Sequence, residues 1–471
     1  GEIAERLAGT RDRWGGEAIL PYHYGGSNGL LTDDFLDDLL FARLGASRLA
    51  KTICAVPATE VAVGMYGKMP GVAFSDFPRA EAIVVWGANP KASNIHLVPY
   101  LKQAKANGAF IATVDPQRNF STLETDLHLA VRPGTDLAVA LAMIARWEAE
   151  GRLDEAFLEA HTTGAETLLE RAREWTIDGA ADLAGVDAND IRRLADVWAD
   201  SSPALMRCGW GVERNRNGGQ AVAAILAMPA LTGTFGVRGG GYTLSNSGTY
   251  RLRRSEVVDL AGWDTRELDM TQLGRVLAGD LDPPVKAMIV YNANPAATVP
   301  DQNAVLAGLE REDLFTVVSE QVMTDTARYA DIVLPATTFL EANDLRNGYG
   351  SYVLGEIRPV IRPAGESVSN MRLFARLGRA MGFDDEPFGW DDDEILDRLA
   401  GALEMAGAPV DVEALQRDTR QRVAFPDEAP NQFAGTPPGT DDGKACLLYT
   451  SPSPRDHLSY LVCRLLLEKR G

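Results

Sequence analysis

None of the four cysteines, Cys54, Cys208, Cys446 and Cys463, falls into a CxxC pair. That spacing argues against a disulfide framework and against a zinc site built within this chain. Cations are also scarce, since 46 Lys and Arg stand against 66 Asp and Glu for a net charge of −20. Nucleic acid is therefore not an expected partner. An anionic ligand would have to be held chiefly by backbone N–H groups and a few local arginines. No run of 18 or more apolar residues occurs, which argues against direct membrane insertion. The opening GEIAERLAGTRDRW has neither a signal-peptide core nor a Met, so the true N-terminus is expected upstream of Gly1. A cytoplasmic location is favoured, and any export leader would lie in that upstream part. What the chain does have is 471 residues, 45% of them hydrophobic, enough for two or three domains with substantial cores.

Val- and Ile-rich runs alternate with amphipathic stretches almost throughout, the pattern of an α/β protein. The runs 18–24, 82–87, 109–115, 127–133, 204–211, 286–292, 314–320 and 331–337 predict buried strands. Helical periodicity fills 96–108, 136–151 and 188–201. The expected architecture is two doubly wound, mainly parallel sheets, with ligands approaching the carboxyl ends of the strands.

The chain also repeats itself. Residues 81–93 read EAIVVWGANPKAS and residues 286–298 read KAMIVYNANPAAT, with Asn89 and Asn294 standing 205 positions apart. The same offset pairs Pro90 with Pro295, Phe110 with Phe315, Asp115 with Glu320 and Asp126 with Asp331, with no gap over about fifty residues. In nucleotide-binding α/β units an acid at the end of the second strand accepts hydrogen bonds from ribose or base, which is the place of Asp115 and Glu320. Neither copy carries GxGxxG between strand and helix, so an ordinary NAD site is not supported. Between the copies, residues 209–248 hold two glycine clusters: Gly209 and Gly211 after a strand, and Gly239–Gly241 at a turn. Both permit close backbone approach to a ligand.

The stretches GWGVERNRNGGQAV, ALTGTFG, VVWGANP, VDPQR, DLHLAVRPGTD and FTVVSEQVMTDTARYADIVLPATTFLE together resemble the catalytic subunit of molybdopterin oxidoreductases of the dimethyl-sulfoxide-reductase type. The resemblance covers about residues 1–440. It implies a molybdenum or tungsten centre bound between two molybdopterin guanine dinucleotides, one held largely by each of two related α/β domains. Carried across by motif, Gly87, Asn89, Asp115, Arg118, Pro133, Gly134 and Asp136 would hold one dinucleotide, with Gly209 and Gly211 close to its phosphate or pterin. Asn292, Asn294, Glu320, Thr324 and Asp331 would hold the other. The turn YHYGGSNG resembles a family motif and adds Gly26 and Ser27. The family's metal ligand follows the first helix, where this chain has Cys54; a soft thiolate suits a metal already bound by dithiolenes. Cys208, inside a strand, reads as core.

The resemblance also implies domain limits: 1–53 with 276–440 binding one dinucleotide and 54–275 binding the other. After about Lys444 the α/β pattern gives way to ACLLYTSPSPRDHLSYLVCRLLLEKRG, in which CLLYTSPSPRD resembles translated adapter sequence, so 445–471 is expected to be a non-native tail and Cys446, His457 and Cys463 are set aside. The family's iron–sulfur segment and pterin-closing domain are expected beyond the ends of this sequence, which makes the chain an internal fragment. The 4Fe–4S cluster would belong to that upstream part, with an iron–sulfur electron-transfer subunit as the expected partner beside a small-molecule substrate. Formate dehydrogenases of the family place a His directly after the metal ligand and an Arg soon after the glycine turn. Here Ala55 follows Cys54 and YTLSNSG has no Arg, which disfavours formate oxidation and leaves Ser245, Asn246 and Ser247 as candidates to polarise a substrate oxygen. The expected function is two-electron redox or oxygen-atom transfer on a small substrate. The alternative is a scaffold and electron conduit like the large iron–sulfur subunit of respiratory complex I, which would not need Cys54, both Asn-Pro turns and RPGTD together.

Overall fold

The computed structural model describes residues 1–26, 29–32, 34–118, 125–246, 249–348 and 350–447. It divides into two compact units. The first comprises Gly1–Ile53, Arg251–Asn347 and Val353–Val423; the second comprises Cys54–Tyr250, Gly348–Tyr352 and the chain from Ala424 onward.

The second unit is built on a five-stranded parallel sheet in the spatial order Leu127–Leu129, Phe110–Val114, Ala82–Trp86, Ala204–Cys208, Gly241–Thr243. Its central strand Ala82–Trp86 reads as an unbroken apolar run because both faces are buried. Ala82, Val84 and Trp86 point into a core shared with helices Val56–Tyr66, Asp136–Ala149 and Gly218–Leu231. Ile83 and Val85 point into a second core with Val72, Phe77, Leu97 and Leu101. Each such side chain, fully removed from water, stabilises the unit by roughly 1.5–3 kcal/mol before entropic costs. The strand order reverses between Ala82–Trp86 and Ala204–Cys208, so a crevice opens at their carboxyl ends.

The first unit holds a four-stranded parallel sheet in the order Ile19–His23, Ala287–Tyr291, Phe315–Glu320, Ile332–Pro335. Here the repeat becomes geometry. Ala82 faces Phe110 and Ala287 faces Phe315; Ala112 faces Leu127 and Val317 faces Ile332. Every one of these partners is displaced by the same 205 positions. The Asp that opens each last strand repeats its bonds too, Asp126 accepting from Ile111 N–H at 2.8 Å and Asp331 from Thr316 N–H at 2.7 Å.

The units differ from the expected limits at three places, one of them the short segment Gly348–Tyr352, which goes with the second unit. Residues 251–275 go with the first unit because Glu267–Asp269 pairs in parallel with Arg48–Ala50. The chain after Val423 goes with the second, where Gln432 accepts from Tyr242 N–H at 2.9 Å and donates to Pro70 O at 2.9 Å. Ala445–Cys446 pairs with Thr162–Thr163, and Ala445 and Leu447 are buried in the second unit's core. His457 and Cys463 lie outside the described residues. Among the described residues no helix is long and apolar enough to cross a membrane.

Candidate functional site

In the second unit, Gly87 and Gly209 meet at the point where the strand order reverses. Gly209 N–H donates to Trp86 O at 2.8 Å and Gly211 N–H to Gly87 O at 3.0 Å. A Cβ on Gly209 would lie 2.3 Å from Gly87 O, and one on Gly211 would lie 2.6 Å from the same oxygen. These glycines therefore let two strand ends touch. Gly87 is left-handed at φ 62°, and its counterpart in the repeat, Asn292, is left-handed at φ 53°. Glycine adopts that conformation freely and Asn tolerates it better than most residues.

Asn89 caps the short helix Pro90–Ser93, its side chain accepting from Ala92 N–H at 3.3 Å. Asp115 follows the strand Phe110–Val114 and uses one oxygen to accept from Gln117 N–H at 2.8 Å. Arg118 and Pro133 are exposed. Gly134, left-handed at φ 86°, is tied through its carbonyl to the Asn217 amide at 3.1 Å. Asp136 is structural in this geometry: it is buried and accepts from the Trp86 indole N–H at 2.8 Å, and burial raises its carboxyl above the usual range. Cys54, half-buried, lies just before helix Val56–Tyr66, and Arg214 donates to its carbonyl oxygen. Cys208 differs entirely, since it is fully buried and burial pushes its thiol up to about 12, which keeps it protonated and inert. Asn246 spends its amide N–H groups on Gly348 O at 2.8 Å and Ser351 O at 2.6 Å, so it holds a loop rather than a substrate. Ser247 lies outside the described residues.

In the first unit, a cavity of about 560 Å³ opens at the carboxyl ends of the sheet. Gly26, Asn292, Asn294 and Glu320 line it; Ser27 lies outside the described residues. Asn292 donates to Thr32 O at 3.0 Å and accepts from Asn370 at 3.1 Å. Asn294 accepts from Thr326 N–H at 3.1 Å and from its hydroxyl at 2.7 Å. Glu320 is half-buried and accepts from Gln321 N–H at 2.7 Å. Two expected residues are not brought here. Thr324 instead accepts from Ala327 N–H at 3.2 Å in the following turn. Asp331 sits at the opposite, amino edge of the sheet, where its carboxylate is bound to Thr316; a residue that opens a parallel strand cannot reach the carboxyl edge. Asn343, Arg346, Ser369 and Asn370 line the cavity and were missed. The one sequence signal was Ser369, which caps helix Asn370–Ala380 by accepting from Arg372 N–H at 3.3 Å.

Close in sequence to Leu31 and Thr32 of the cavity lining, the backbone of residues 34–35 is held by buried charge. Asp37 accepts from Phe35 N–H at 2.6 Å and from the Tyr291 hydroxyl at 2.6 Å. His23, stacked on Tyr291 at 4.6 Å, shares a cluster with Asp34 and Asp38 whose ligand atoms lie within 4.8 Å of one another. Lys51 pairs with Asp34, and Arg254 pairs with Asp38 at 2.7 Å. Burial, then Asp37 and Asp34, holds the Asp38 carboxyl up to about 8 against the pull of Arg254 and Lys51.

The family profile described as Molybdopterin oxidoreductase matches residues 26–380. The probable oxidoreductase YoaE of Bacillus subtilis (strain 168) is 36% identical over 442 residues, covering 91% of this chain and 64% of that protein. The dimethyl sulfoxide/trimethylamine N-oxide reductase of Rhodobacter capsulatus is 28% identical over 391 residues, 69% of this chain and 46% of that protein. The chain thus spans less than two thirds of the length of these curated relatives. Among solved structures, acetylene hydratase from Pelobacter acetylenicus has the same fold, with a TM-score of 0.74 at 24% identity over 95% of this chain and 66% of that one. With a profile match over residues 26–380, most of its length, the chain belongs to the molybdopterin oxidoreductase family.

Proposed function

We propose that this chain is the catalytic part of an oxidoreductase whose molybdenum or tungsten is carried by two molybdopterin guanine dinucleotides, one nucleotide end in each unit. The observation that carries the reading is the repeat: the same strand register, the same Asn-Pro turn and an acid at the same strand end occur twice at one offset. A cofactor with two nucleotide ends accounts for that duplication. The residues present fit it. The cavity of the first unit falls within the range of about 300–1,000 Å³ usual for ligand pockets. Its Glu320 keeps carboxylate lone pairs for a base or ribose, and Arg346 and the Asn370 helix start give it positive character.

When bound, the group supplies a metal centre that passes two electrons, or an oxygen atom, to or from a small substrate. The chain's own residues do the remaining work. Asp115 and Glu320 accept hydrogen bonds from the two nucleotides, Arg118 offers a cation to one of them, and Cys54 provides a thiolate to the metal. Arg214 and the buried Glu213 fix the segment that carries Cys54. An iron–sulfur cluster upstream, and an electron-transfer subunit, would complete the electron path. Relatives bearing the names assimilatory nitrate reductase catalytic subunit and F420-dependent formate dehydrogenase subunit alpha are in keeping with such assemblies. Ala55, in place of a proton-accepting His, speaks against formate as substrate.

The test is Cys54→Ala in the purified, cofactor-loaded protein. Turnover of a trial oxide with reduced viologen as electron donor should disappear while pterin content stays unchanged. Full activity in that variant would remove Cys54 from the site.

A further inference from the structure

The loop after strand Ala204–Cys208 reads VERNRNGG and contacts the metal-ligand segment twice. Glu213 has a fully buried side chain, and one carboxylate oxygen accepts from Ala58 N–H at 2.8 Å, in the first turn of helix Val56–Tyr66. Among the described residues its other oxygen has no hydrogen-bond partner, and it lies 3.6 Å from the Arg214 guanidinium. Arg214 in turn donates to the carbonyl oxygen of Cys54. One dipeptide thus holds both the helix that follows the cysteine and the cysteine's own backbone.

The loop itself is rigidly seated. Gly218 is required there because a Cβ would lie 2.4 Å from the Glu213 Cα. Arg214 N–H donates to Gly211 O at 3.3 Å and Gly218 N–H to Asn215 O at 3.0 Å, which ties the loop at both ends. Helix Gly218–Leu231 packs along helix Val56–Tyr66, with Gly219 placed against Val61 and Pro57. A buried carboxylate is costly to keep unless it is paired, and here it accepts from one buried N–H in the first turn of a helix, a group that turn leaves without an intrahelical partner.

We propose that Glu213 and Arg214 are positioning residues for Cys54, a pair that sets the place of the metal's thiolate from behind. The inference rests on the reading of Cys54 as metal ligand. Groups that orient a metal ligand without touching the metal change metal affinity or activity by about 10- to 100-fold when removed.

The experiment compares wild type with Arg214→Met, Arg214→Lys, Glu213→Ala and Glu213→Gln, using the cofactor-loaded protein. Three readouts are taken: amide hydrogen exchange across residues 54–59, molybdenum content after dialysis, and the electron paramagnetic resonance spectrum of the half-reduced metal. Glu213→Ala should raise exchange at Ala58 by about tenfold or more, the loss of one charge-assisted hydrogen bond, whereas Glu213→Gln keeps an acceptor and stays near wild type. Arg214 is exposed, so Arg214→Met should fold normally. It should nevertheless shift the metal spectrum and lose about 10-fold in metal retention, with Arg214→Lys between it and wild type. Unchanged spectra and metal content in both Arg214→Met and Glu213→Ala would overturn the proposal. Cys54→Ala run alongside separates the underlying reading: a wild-type spectrum there defeats the ligand assignment, and the positioning role with it.

Discussion

Gly209→Ala should be among the most damaging single-methyl changes in this protein, although Gly209 lies in no strained backbone region. Its added Cβ would stand 2.3 Å from Gly87 O, 2.5 Å from Ala88 Cβ and 2.7 Å from Gly87 C. All three follow the neighbouring strand's end; two are backbone atoms and the third is a Cβ fixed by the backbone, so none can rotate away. Relief requires parting strands Ala82–Trp86 and Ala204–Cys208 where Gly209 N–H bonds to Trp86 O at 2.8 Å. Overpacking a core costs typically 1–3 kcal/mol, and a clash with backbone belongs at the upper end, about 3 kcal/mol. For a unit of this size that lowers Tm by roughly 6–12 °C. Gly219→Ala is the control: its Cβ would meet only Val61 and Pro57 side chains at 3.8 and 3.9 Å, at the start of a helix. It should be neutral or stabilising by up to about 1 kcal/mol. Thermal unfolding followed by circular dichroism reads both. A Gly209→Ala variant within 1 °C or so of wild type would refute the argument that the strand ends touch through these glycines.

Asn292 holds φ 53°, donates to Thr32 O and accepts from Asn370, so Asn292→Gly keeps the conformation and loses both bonds, while Asn292→Ala loses the same bonds and adds left-handed strain of about 1–2 kcal/mol. Denaturant unfolding should rank wild type above Gly above Ala, and Ala equal to or above Gly would contradict the stated backbone role. Asp38 carries a pH signature. Its carboxyl ionises near 4 when unfolded but near 8 when folded, so between these values the folded state keeps a proton the unfolded state has released, and stability falls as pH rises from about 4 to about 8. The difference between wild type and Asp38→Asn should therefore widen across that window, by on the order of several kcal/mol, and a difference independent of pH would sink the assignment.

Much of the fold could be read from the residues because parallel strands buried on both faces appear as continuous apolar text. Ala82–Trp86 and Ala287–Tyr291 are examples, and their common offset survived because no insertion separates the copies. What escaped depends on partners far away in sequence. The Asp136 carboxylate accepts from the Trp86 indole, 50 positions earlier, a contact no local pattern announces. Asn246 is consumed by carbonyls more than 100 positions later. The limit near residue 275 was misjudged because Glu267–Asp269 is a three-residue strand, too short to show a period. Asp331 is a different case: its place at the start of a strand was legible, and the motif carried it to the wrong edge of the sheet. Glu213 and Arg214 lay within a recognised motif, but only the geometry connects them to Cys54 and the helix after it.

The most direct test of the account is a count of guanine nucleotides released by acid hydrolysis from the purified, cofactor-loaded protein, per polypeptide. The account predicts two, with Asp115→Ala lowering the release from one site and Glu320→Ala from the other. One nucleotide or none in the wild-type protein, or two that neither substitution affects, would contradict the claim that the repeated sheets each hold one end of a doubled cofactor.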